Sequence, residues 1–273
     1  MTSKANNGKN KAREVHKPFL KGNVTDENTL KSSLFFFGSM IIVFFVAFIA
    51  CVSSAAGGTI LKILINGAVI ALALIIFFNN GSRYGTEAVT RGEILYQKKE
   101  KGQEFSESER RLCFHPAKGF VTALIGTIPF LILALLLAFS TSIQMTEAGT
   151  LPSWMSSYLK RSDIGNALVS YTKPESAGLT DYIRVLIRVC IVPFVNLAGT
   201  ANSTGLYILE KLSPLILLLP AVSYGTGYLT GKNIRTQIHT AISESNKKRI
   251  RTEKKKRAAR IRTENKKETE QLN

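Results

Sequence analysis

Long apolar runs alternate with strongly polar stretches along this chain of 273 residues. The first run extends from Leu34 to Val52, and the second from Thr59 to Phe78 after the small link Ser53–Gly58. A third goes from Gly119 to Thr141 and a fourth from Ser213 to Leu229, with Pro129 and Pro220 inside them. Each is close to the ~20 residues that an α-helix needs to cross about 30 Å of hydrocarbon. The pattern predicts an all-α, polytopic membrane helix bundle with four transmembrane helices. Because the link between the first two runs is so short, they must form an antiparallel hairpin.

The polar segments divide the chain further. Residues 1–32 are basic and Asn-rich and read as a disordered cytoplasmic tail. Residues 33–78 hold the first hairpin, and 79–118 read as a charged cytoplasmic loop with helical content. In that loop Ser106-x-x-Glu109 has the spacing of a capping box. Residues 119–142 form helix 3, 143–212 an extracytoplasmic amphipathic region, 213–231 helix 4, and 232–273 a basic helical tail running on through Ile234, Ile238 and Ile242.

Within 143–212 two stretches have helical character. Leu151, Trp154, Met155, Tyr158 and Leu159 fall on one helical face, with Trp154 and Tyr158 suited to anchor an interfacial helix. Residues 182–198 are apolar except for Arg184 and Arg188. They could span, re-enter or lie on the membrane.

Charge decides between these. The chain carries 36 Lys+Arg against 19 Asp+Glu, a formal +17. Most of the excess lies in the two ends and the 79–118 loop. The positive-inside rule then places both termini in the cytoplasm, at the plasma membrane, and requires an even number of spans. Counting 182–198 as a fifth would strand the tail outside, so it is expected to be an outer interfacial or re-entrant segment. The first run, behind a polar leader of 32 residues, is expected to be a retained span rather than a cleaved signal.

Candidate chemistry is sparse. Arg184 and Arg188 lie one helical turn apart and could contact a phosphate, a carboxylate or a lipid headgroup. The alternative, preferred here, is that both snorkel to water or headgroups, with Asp181 as a local partner. The tail offers Lys247, Lys248, Arg249, Arg251, Lys254, Lys255, Lys256, Arg257, Arg260 and Arg262 to anionic phospholipid or to an acidic partner. No aromatic residue interleaves them, so nucleic acid is expected only in the form of ribosomal RNA gripped by its phosphates. Gly67 with Ala71, Ala221 with Gly225, and Gly227 with Gly231 have small-xxx-small spacing suited to close helix packing, within the chain or between copies.

Cys113 and His115 are too few for a tetrahedral metal site, and no cofactor motif occurs. None of the four apolar runs contains Asp, Glu or His, and no catalytic motif is present, so no enzymatic activity is expected. The leading expectation is an accessory or scaffold membrane protein whose tail holds anionic lipid or an acidic partner. Alternatives are a small permease component for an anionic solute and a biogenesis factor with a ribosome-docking tail.

Overall fold

The computed structural model describes residues 15–53, 58–141, 158, 161, 178–199 and 202–271, with side chains described as far as 261. Its helices are α1 (Thr29–Ser53), α2 (Thr59–Glu100), α3 (Glu107–Arg111), α4 (Lys118–Ser140), α5 (Leu179–Cys190), α6 (Val192–Ala198) and α7 (Ser203–Gln271). Four of them, α1, α2, α4 and α7, are long and apolar enough to cross a membrane. The protein is an all-α, multi-pass membrane bundle. Its outward surface fits that solvent, since Phe35, Ile42, Phe45, Ile49, Leu72, Ile132 and Phe139 are all exposed.

Side chains of opposite orientation form the core. Phe36, Met40, Phe77, Phe130, Leu137, Leu217 and Tyr224 are buried together. The rings of Phe36 and Tyr224 meet edge to face at 5.0 Å. Residues 15–28 and the distal half of α7 lie at one end of the bundle, here called basal. The end of α1, the start of α2, the end of α4 and the start of α7 lie at the other, distal end.

Two helices continue well past their apolar runs. Helix α2 has 42 residues and α7 has 69, about 63 and 104 Å at 1.5 Å per residue. Residues 79–100, part of the segment expected to be a charged loop with helical content, continue α2 without a break. They lack proline, and Arg83 and Glu87 pair one turn apart at 3.4 Å. The helix stops where Gly102 adopts φ 69°, with Gln103 N–H donating to Lys98 O and Gly102 N–H to Lys99 O. Ser106 caps α3 by accepting from Ser108 N–H at 3.3 Å.

The long helices run parallel and touch backbone to backbone. Gly81 and Gly85 face the backbone of Tyr224 and Tyr228, while Gly227 faces the Phe78 carbonyl and Gly231 faces Gly85 and Thr86. A Cβ at any of these four positions would overlap main chain, so only glycine permits the approach. Gly225 instead receives the Phe120 ring, and Ala221 is buried. Gly67 has nothing within 4 Å of its Cβ direction, and Ala71 is exposed. Among the described residues, that pair forms no close helix contact.

The N-terminal expectation of disorder needs correction over residues 15–28, which pack as an irregular strap on the basal end. Leu20 N–H donates to Gly92 O at 3.1 Å, Gly22 N–H to Phe114 O at 3.0 Å, and Val15 N–H to the Thr240 hydroxyl at 3.1 Å. Phe19 meets Phe114 edge to face at 6.1 Å, and Phe114 stacks on Tyr228 at 5.2 Å. Apolar anchors and satisfied backbone groups hold a segment whose composition is mostly polar.

Residues 179–198 form two helices that dip into the bundle core from the distal end and return. Helix α5 has 12 residues, about 18 Å, enough to reach roughly half-way through the hydrocarbon. It begins at the level of Thr141 and buries Ile187 and Ile191 in the bundle core. Pro193, which has no N–H, breaks the path after Ile191. Helix α6 then returns toward the distal end, where Asn196 donates to Cys51 O at 3.2 Å and to Asn66 Oδ1 at 3.4 Å. Gly199, with φ 85°, closes it. Helix α7 starts at Ser203, ten residues before the apolar run, capped by Asn202 Oδ1 accepting from Gly205 N–H at 2.9 Å.

Candidate functional site

The early start of α7 brings a carboxylate into the bundle. Glu210 lies two turns inside the helix, and its side chain is 3% exposed. Helix α5 carries Arg184 and Arg188 on the face turned toward it. Arg184 Nε lies 3.2 Å from Glu210 Oε1. Arg188 reaches the same oxygen through Nη2 at 2.6 Å and Nε at 2.9 Å. Glu210 Oε2 accepts from the hydroxyl of Thr141, the residue that ends α4. Arg184 Nη1 completes the cluster with Asp181 Oδ1 at 2.7 Å.

Two arginines thus meet two carboxylates, and α4, α5 and α7 are tied by one buried acid. Charged groups at this depth require such compensation, because an unpaired guanidinium in a low-dielectric setting is costly. Arg184 is buried and Arg188 partly exposed, so they differ in how far Glu210 is indispensable to them. Asp181, the partner expected from sequence, is half exposed and holds Arg184 alone. Any external anion would have to displace Glu210 to reach both guanidiniums. Beneath the cluster, Cys190, Pro193 and Phe194 border a cavity of about 50 Å³ with Val43, Ala73 and Leu217.

Sequence reasoning passed over Glu210 because it precedes the apolar run by three residues. The signal available was indirect: two arginines on an apolar helix need an acid beyond Asp181.

A second set of ionic contacts holds the basal end. Asp26, at the foot of α1, pairs with Lys118, the first residue of α4. Burial raises the Asp26 pKa, but hydrogen bonds from Lys118 and Thr29, with the Lys118 charge, outweigh it and hold the carboxyl below its ordinary value. Above them, Glu93 of α2 receives Arg235 Nε at 2.9 Å and meets His239 Nε2 at 2.8 Å, both from α7. Cys113 is buried and its thiol is pushed up by burial, partly offset by Lys118, Arg110 and Arg91. His115 Nδ1 accepts from Ala117 N–H at 3.2 Å.

Beyond Thr240 the helix leaves the bundle. Lys247, Lys248, Arg249, Arg251, Lys254, Lys255, Lys256, Arg257 and Arg260 are all exposed on it. Arg249 and Glu253 face each other at 3.8 Å. Arg262 lies on the same helix, past the last described side chain. Tyr158 is exposed, whereas Trp154 lies outside the described residues. From residue 244 to 261 this arm carries nine basic residues against Glu244 and Glu253. Compared with protein-family models, with curated proteins and with solved structures, the chain matches none.

Proposed function

We propose that the protein is a non-enzymatic membrane scaffold that holds an acidic partner on its basic helical arm. The observation that carries this reading is the uninterrupted course of α7 from the bundle to Gln271. Lys247 lies 16 residues beyond Gly231, about 24 Å along the axis, and Arg260 about 44 Å. Attraction to the chain's own bilayer fades within a Debye length, about 8 Å at physiological ionic strength. At these distances the arm is poorly placed for that lipid and well placed for a partner standing off the membrane. The charge distribution supports a plasma-membrane protein with its basal end, both termini included, in the cytoplasm.

The scaffold reading also agrees with the distal cluster, whose arginines are already balanced by Glu210 and Asp181. A photo-crosslinking residue placed at Ala258 in native membranes tests the proposal. Adducts with an acidic protein support it; ribosomal RNA would redirect it to the biogenesis reading. Adducts with lipid alone would defeat it.

A second reading has one observation in its favour. The pair α5–α6 brings two arginines and a helix break to membrane depth, as discontinuous helices do in some transporters. Under that reading the protein is a permease component for an anionic solute, with Glu210 yielding to the substrate. Arg184→Gln with Arg188→Gln should then abolish anion uptake, while a scaffold would retain its partner.

A further inference from the structure

We infer that the cavity beneath the N-terminal strap is a binding site for a phosphate-bearing anion. Its volume is about 370 Å³, and it lies between the strap, α2 and α7, just past the basal ends of the apolar runs. The strap contributes Lys17 and Lys21, and α7 contributes Lys232 and Arg235. Among the described residues, the only carboxylate on the wall is Glu93, and it is already committed to Arg235 and His239. Among the described residues, Lys17, Lys21 and Lys232 have no carboxylate partner. Glu93 engages Arg235 through Nε, and the two terminal guanidinium nitrogens have no protein partner there either.

Lys17, Lys21 and Lys232 are exposed at the mouth of this cavity, and their backbone positions are set by contacts of the strap with the bundle. The strap is pinned on both sides by Leu20 N–H to Gly92 O and Gly22 N–H to Phe114 O, and Lys232 is held 6.0 Å over the Phe19 ring. Basic side chains rooted on the strap and on α7 around one concavity, with a single sign of charge, favour a compact multivalent oxyanion. Phosphate fits that description better than a carboxylate, because its oxygens can meet several ammonium groups and a guanidinium edge together. The source could be a lipid headgroup drawn from the adjacent leaflet or a soluble phosphate compound. Either would bridge the strap to α7 and fasten residues 15–28 to the bundle.

The test uses the full chain in nanodiscs. One arm titrates inorganic pyrophosphate into protein in neutral phosphatidylcholine, by calorimetry. The other measures retained lipid by native mass spectrometry from discs containing phosphatidylglycerol. Each is run on the wild type, on Lys17→Gln/Lys21→Gln/Lys232→Gln, and on the arm variant Lys254→Gln/Lys255→Gln/Lys256→Gln. The substituted lysines are exposed and make no ion pairs, so both variants should fold. The expected result is a loss of affinity of tenfold or more in the strap variant and less than twofold in the arm variant. Loss in the pyrophosphate arm assigns a soluble ligand, and loss only in the phosphatidylglycerol arm assigns a lipid. Equal binding by wild type and strap variant in both arms, or equal loss in the two variants, would overturn the inference.

Discussion

Replacing Glu210 by glutamine keeps the shape of the side chain and removes the charge on which two arginines converge. The Thr141 hydroxyl can still donate to the amide oxygen, so the change isolates the ionic part. At separations near 4 Å and an effective dielectric of 20, one ion pair is worth about 4 kcal/mol. Arg188 is 31% exposed and recovers part of that in water, while Arg184, at 8%, keeps only half-exposed Asp181. Breaking a buried pair by removing one partner costs about 3–5 kcal/mol, and that range is expected here. The cost falls on the attachment of α5 to α7, so it should appear as opening of the α5–α6 pair. Cys190, at the tip of α5, is a built-in reporter. Maleimide modification, read at that cysteine by peptide mass spectrometry, should accelerate by about a hundredfold to a few thousandfold, since 1.4 kcal/mol is a factor of ten. Arg188→Gln alone should accelerate it less than tenfold. The triple variant Glu210→Gln/Arg184→Gln/Arg188→Gln should label more slowly than Glu210→Gln, because the charge it leaves unpaired in this cluster is the half-exposed Asp181 rather than a buried arginine. Additive effects of the three changes, or a Glu210→Gln rate within threefold of wild type, would refute the lock.

Other perturbations have equally definite outcomes. Gly85→Leu or Gly231→Leu should cost about 3 kcal/mol or more by wedging α2 from α7, whereas Gly67→Leu should leave the melting temperature in detergent unchanged. Asp26→Asn should destabilise by about 2–3 kcal/mol at neutral pH, below the full cost of a buried pair because Lys118 keeps its hydrogen bond to Arg111 O. The Asp26 pKa is lowered in the folded state, so its contribution is present above the ordinary carboxylate range and is lost as pH falls on through the lowered folded-state value. Melting curves of wild type and Asp26→Asn should therefore draw together as the pH falls below the ordinary carboxylate range; a gap unchanged by acid would contradict the assignment. Phe114→Ala removes both the stack on Tyr228 and the contact with Phe19, and should raise amide exchange at Leu20 and Gly22 by at least tenfold in hydrogen-exchange mass spectrometry.

The four spans were legible because run length alone is nearly sufficient in a bilayer, where backbone groups must be satisfied within the helix. The parallel contact of α2 and α7 was half legible. Gly227 and Gly231 stood out by spacing, but Gly81 and Gly85 sit past the apolar run, in a stretch read as loop for its charge. Charge was a poor guide there, since Arg83, Glu87 and Arg91 are good helix formers on an exposed face. The inward packing of residues 182–198 depends on a tertiary partner, Glu210, that no local pattern announces. The strap at 15–28 was missed for a similar reason. Composition argued for disorder, while Phe19 and the backbone of Leu20 and Gly22 found places on a surface that exists only once α2, α4 and α7 have assembled.

The central claim is that α7 ends as an arm for an acidic partner, and native mass spectrometry after gentle extraction tests it most directly. The full chain and a chain ending at Ser243 should be compared from the same membranes. The account predicts a stoichiometric acidic partner on the full chain, displaced by salt and absent from the shortened one. A full chain carrying only lipid, or a partner retained without the arm, would contradict it.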